Sequence, residues 1–102
     1  MIWMLETRER CVYGYANEAE GIAHARAADV AAGLWQFFDA DGRALLPSRA
    51  GPDAYDLQPA PAGAASLQDI LHELRAVVID GKRLTAAVLR ERLPPPSPDR
   101  LP

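Results

Sequence analysis

Ser66-Leu67-Gln68-Asp69-Ile70-Leu71-His72-Glu73-Leu74-Arg75-Ala76-Val77-Val78-Ile79-Asp80-Gly81 is the stretch whose reading decides the architecture, because its apolar residues satisfy two periods at once. Leu67, Ile70, Leu71, Leu74, Val77 and Val78 recur at the spacing of one helical face. Ser66 can cap the first turn with Asp69 three residues on, and Gly81 supplies a stop before the cations Lys82 and Arg83. These signals predict one helix over most of the stretch. The β-branched run Val77-Val78-Ile79 pulls the other way, toward a strand, and that alternative stays open.

Downstream, Thr85 can cap a third, short helix running to Arg92, with Leu84 and Leu89 spaced as a hydrophobic staple. From Pro94 onward the proline density denies regular structure, which predicts a disordered Pro-rich tail over 94–102 and a single domain over 1–93.

Upstream, two apolar runs, Ile2–Leu5 and Arg10–Tyr15, flank Thr7-Arg8-Glu9 and read as a hairpin. Both faces of the first run are apolar, so that strand belongs inside the sheet or covered on both sides. Gly14 marks a bulge or a weak point in the second. Asn17 and Glu20 form a capping box for a helix over 17–32, in which Gly21 costs roughly 0.8–1 kcal/mol relative to alanine and after which Gly33 provides the left-handed stop. Leu34–Phe38 and Arg43–Leu46 flank Asp39-Ala40-Asp41-Gly42, a second hairpin. Pro47 is expected to end its second strand, Ser48–Asp53 to form an exposed loop, and Ala54–Leu57 to add a short edge strand. A linker of small residues, 59–65, follows.

The expected fold is therefore α+β: a mostly antiparallel sheet of four to five strands, two hairpins flanking one helix, with two C-terminal helices.

Composition narrows the chemistry. The chain has 102 residues, 49% hydrophobic and 25% charged, with a formal charge of -3. Wholesale disorder and a general phosphate-neutralising role are both excluded by that balance. One cysteine and two histidines make no internal disulfide and too few soft ligands for structural zinc, so neither metal nor cofactor is expected. The apolar opening Met1–Leu5 ends at Glu6, short of a secretory core of about 7–15 residues or a membrane span of about 20. A cytoplasmic protein without membrane contact is the expectation.

Individual motifs read blandly. Asp39-Ala40-Asp41-Gly42 fails as a calcium loop, because Arg43, Ala44 and Ala50 stand where an acidic ligand, a glycine and a carboxylate are required. His24 and His72 fall beside the apolar stripes of their helices with no nucleophile in local reach, and Cys11 reads as a buried, inert thiol. Arg75, Lys82, Arg83, Arg90 and Arg92 give the segment Arg75–Arg92 a positive excess without an interleaved aromatic, a weak nucleic-acid signal. Arg92-Leu93-Pro94-Pro95 has the spacing of a polyproline ligand, a pattern that arises often by chance.

The aromatics carry more weight. Trp35 and Phe37 share one face of their strand while Phe38 takes the other, so a single helix layer would leave large rings in water. From this comes the expectation of a non-catalytic interaction or regulatory module that self-associates as a homodimer, with Trp35, Phe37, Tyr13 and Tyr15 as contact residues. Two alternatives are a small-ligand binder or enzyme with a cleft near residues 47–65, drawing on Tyr13, Tyr15, Trp35 and His72, and a weak nucleic-acid binder through Arg75–Arg92.

Overall fold

The computed structural model describes residues 1–94; the expected tail beyond Pro94 lies outside the described residues. Its elements are β1 (Ile2–Glu6), β2 (Cys11–Tyr15), α1 (Glu18–His24), α2 (Ala27–Ala31), β3 (Trp35–Phe38), β4 (Ala44–Gly51), β5 (Ala54–Pro59), a 3-10 helix (Gln68–Glu73), β6 (Ala76–Ile79), β7 (Lys82–Leu84) and α3 (Ala87–Arg92). The strands form one seven-stranded mixed sheet in the order β5-β4-β3-β1-β2-β6-β7. Every neighbouring pair is antiparallel except β2 and β6, which run parallel with Cys11 beside Ala76 and Val12 beside Val77.

This sheet corrects the expected four to five strands and two C-terminal helices. The segment read as one long helix divides into the 3-10 helix and β6. Val77-Val78-Ile79 follows its β-branched preference because β2 offers an open edge to pair with, and packing against a sheet overrides a helical period. Ser66 and Asp69 still cap reciprocally: the Ser66 amide donates to Asp69 Oδ2 at 2.8 Å and the Asp69 amide to Ser66 Oγ at 3.3 Å. Gly81 closes no helix. With Asp80 it forms the left-handed pair, φ 51° and 76°, that a two-residue hairpin turn requires.

The expected helix 17–32 is also two pieces. Asn17 Oδ1 accepts the Glu20 amide at 2.9 Å as anticipated, but Ala25 and Arg26 are extended. The break turns the Ala25 carbonyl toward the Tyr55 hydroxyl, which donates to it at 2.8 Å inside the core. Gly21 is a close-packing residue and not a defect, since a Cβ there would stand 2.7 Å from Met4 Sδ. Gly14 serves likewise: a Cβ would meet the Trp3 ring at 2.6 Å. Pro47 does not end its strand. Its missing N–H faces β3, whose ladder with β4 has already stopped at Leu45, so no hydrogen bond is lost and β4 continues to Gly51.

Helices cover the sheet on both faces. α1 and α2 pack over Ile2, Met4, Phe37, Tyr55 and Leu57. On the opposite face the 3-10 helix and α3 pack over Trp3, Leu5, Val12, Phe38, Val77 and Ile79. The 3-10 helix is tied down from two sides, the Leu67 amide donating to Gly42 O at 2.7 Å and Gln68 Nε2 donating to Asp41 O and Pro94 O. Among the described residues no helix is long and apolar enough to cross a membrane.

Two substitutions test this packing by urea denaturation. Gly21→Ala, which in an open helix would add about 1 kcal/mol of stability, is expected to lower it by a similar amount through overpacking against Met4. Tyr55→Phe should lose about 1 kcal/mol with the buried hydrogen bond to Ala25.

Candidate functional site

The α1–α2 segment leaves β2, crosses over β1 and returns as β3, so its cover ends at β2. Strand register then dictates what lies on the same face beyond it. Met4, Tyr13, Val78 and Arg83 stand opposite one another across β1, β2, β6 and β7, and Glu6, Cys11 and Ala76 form the next row. Tyr13, Tyr15 and Val78 are half-buried there, while Arg83 is exposed. Trp35, paired with Glu6 from β3, reaches the strip and meets Tyr13 edge to face with ring centroids 5.8 Å apart. Tyr15 stacks instead on His24 of α1, centroids 4.7 Å apart.

Three of the four expected contact residues thus share one flank. The fourth does not. Phe37 is 1% exposed and packs against Tyr55, and Phe38 and Trp3, at 3% and 1%, are equally enclosed on the other face. The expectation of an uncovered aromatic sheet face assumed one helix layer, and the second layer removes it for these rings.

The polar groups around the strip are fixed by the β1–β2 turn. Glu6 is buried, and its carboxylate accepts the Glu9 amide and, at 3.0 Å, Arg8 Nε. Burial alone would push that carboxyl up, but these donors outweigh it and hold it below the ordinary glutamate value. Cys11 is buried, and desolvation raises its thiol pKa despite a hydrogen bond with Tyr13 and the nearby Arg83 charge. It stays protonated and poorly nucleophilic at neutral pH. Burial likewise raises Tyr13, helped by Cys11 and Glu9, and raises Tyr15, so both phenols stay neutral.

At the carboxyl ends of the parallel strands the chain diverges, from β2 into α1 and from β6 into the Asp80-Gly81 turn. A cleft of about 380 Å3 opens between these exits, walled by Tyr13, Tyr15 and Val78, with Glu20 on one side and Asp80 on the other. Glu20 Oε2 accepts the Ala16 amide at 3.2 Å, which holds that carboxylate at the rim. Glu20 is singled out from sequence only as a capping-box residue, and Asp80 is given no role in a site. The available signal was Asp80-Gly81 after a β-branched run, a hairpin signature hidden by the helical period before it.

A second groove of about 440 Å3 lies between α2 and the β4–β5 hairpin, lined by Val30, Pro47 and Tyr55 together with Arg49 and Asp53; it touches the 47–65 segment only through residues up to Tyr55. Tyr13, Tyr15, Trp35 and His72 do not line it; His72 is exposed on the 3-10 helix. The cations of Arg75–Arg92 are exposed but distributed over the approach to β6, over β7 and over α3. Among the described residues no group of three or more His, Cys, Asp or Glu is arranged to hold a metal ion.

No family model, curated protein or solved structure matches the chain.

The Glu6 arrangement has a definite pH signature. A carboxyl whose folded pKa is depressed contributes stability that is present above its unfolded value and is lost as pH falls through the folded one. Glu6→Gln should therefore lower Tm near neutrality and flatten the acid limb of a plot of Tm against pH, so that variant and native sequence converge as pH falls. An unchanged acid slope would remove Glu6 from the account.

Proposed function

We propose that the protein is a non-catalytic interaction module that pairs with a second copy of itself through the half-buried strip Trp35, Tyr13 and Val78. The observation carrying this reading is the edge-to-face Tyr13–Trp35 pair, half-buried at the margin of the α1–α2 cover, with Trp35 packed against the core beneath those helices. Rigid aromatic side chains bury large area at small entropic cost and anchor interfaces. Charge supports a two-fold arrangement. Arg83 extends the row of Tyr13 and Val78, and Glu9 lies in the β1–β2 turn two residues before Cys11, so charges of both signs border the strip. A two-fold operator can set each Arg83 against Glu9 of the partner subunit.

Edge-to-edge pairing is the weaker route. β7 is three residues long with Lys82 and Arg83 in it, and β5 carries Asp56 and ends at Pro59. Short length, like charge and proline each discourage strand addition.

A second reading, small-ligand binding, is favoured by the groove between α2 and the β4–β5 hairpin, whose apolar wall and Arg49/Asp53 rim suit a molecule with an aliphatic body and polar ends.

Sedimentation velocity from low to several hundred micromolar should show a monomer–dimer equilibrium for the native sequence. Trp35→Ser and Tyr13→Ser should each shift it to monomer while leaving the far-ultraviolet circular dichroism unchanged. A strict monomer throughout that range overturns the proposal.

A further inference from the structure

The cleft at the carboxyl ends of β2 and β6 shares Tyr13 and Val78 with the Trp35 strip and adds Tyr15, Glu20 and Asp80 to them. In open sheets the crevice outside the carboxyl ends of parallel strands, where outgoing connections diverge, is a recurrent ligand position. β2 and β6 make such a crevice here, because one exits into a helix and the other into a tight hairpin. It is lined by two phenol side chains and a valine, together with one acidic residue from each of two separate elements, Glu20 of α1 and Asp80 of the β6–β7 turn.

No lysine or arginine is among the residues that line it. Lys82 pairs with Ile79, whose side chain enters the opposite core, so Lys82 belongs to the other face. Arg83 pairs with Val78 on the same face and is the nearest cation by register, outside the lining. An anion would meet the carboxylates of Glu20 and Asp80, both of which line the cleft. The volume, about 380 Å3, accommodates an ammonium group with its attached carbons.

We propose that this cleft binds an organic ammonium group, seated against the Tyr15 and Tyr13 rings between the carboxylates of Glu20 and Asp80. The ring faces attract the cation through their quadrupoles, and the carboxylates select charge over mere size. Both carboxylates are exposed, so their attraction is screened and affinity falls in the millimolar range. A free amine and a lysine side chain presented by a peptide share this chemistry.

The test is a titration of the full chain followed by amide nitrogen–proton correlation spectra. Tetramethylammonium chloride is the probe, with sodium chloride at equal ionic strength and tert-butanol as the uncharged analogue. Saturable shifts confined to the amides of Gly14, Tyr15, Ala16 and Gly81 are expected with tetramethylammonium alone. Asp80→Asn and Glu20→Gln should each weaken binding by roughly three- to tenfold. Asparagine tolerates the positive φ of Asp80 and glutamine keeps a capping oxygen, so both variants retain the fold. Shifts that do not saturate, that tert-butanol reproduces, or that survive both substitutions overturn the proposal. Comparing n-butylammonium with a capped Gly-Lys-Gly peptide assigns the source: tighter peptide binding indicates a lysine on a protein partner, and equal binding indicates a free amine. Binding retained by Trp35→Ser separates this site from the proposed dimer contact.

Discussion

The structure depends on the requirement that β1 be enclosed on both faces. Ile2, Trp3, Met4, Leu5 and Glu6 are all buried, with Ile2 and Met4 turned one way and Trp3 and Leu5 the other. A central strand apolar on both sides cannot rest with either side in water, since each large side chain left exposed forfeits about 1.5–3 kcal/mol. The chain must therefore send helices to both faces. α1 and α2 supply one layer and the 3-10 helix with α3 the other. Glycines make the fit: Gly21 lets α1 settle onto Met4, and Gly14 gives the Trp3 ring its place on the opposite side.

That enclosure also explains what was readable from sequence. The two N-terminal strands, the Asn17–Glu20 cap, the Asp39–Gly42 turn and the interior position of β1 were all visible because each rests on local chemistry or on the polarity of neighbouring residues. Asp39 Oδ1 accepts the amides of Asp41 and Arg43, and Gly42 takes a φ of 85°, as turn chemistry dictates. Failures arose where a distant partner decides. Whether Val77 joins a helix or a strand depends on the open edge of β2, and Ala25 leaves the helix because Tyr55, thirty positions on, offers a hydroxyl. Pro47 was read as a terminator because nothing local reveals that its neighbour β3 has already departed. The aromatic contact residues were found in part: alternation identified the faces, but not how far each helix layer extends across them.

Both proposed contacts arise from one asymmetry. A helical segment that leaves β2 and comes back on the far side of β1 covers the half of the face it crosses and no more. The strip of Tyr13 and Trp35 is the boundary of that cover, and the cleft is the opening at its end where β2 and β6 part. Tyr13 and Val78 belong to both proposed contacts, so occupation of one bears directly on the other.

The parallel join of β2 to β6 also sets the sequence of events during synthesis. Cys11 and Ala76 are 65 positions apart in the chain. A ribosome releases β1, β2, the first helical pair and the long β3–β5 meander before β6 exists. Throughout that interval the outer rim of β2 presents bare amides and carbonyls to whatever is nearby, and non-local pairing of this kind closes slowly. A nascent chain of this topology carries an unpaired strand edge until β6 emerges.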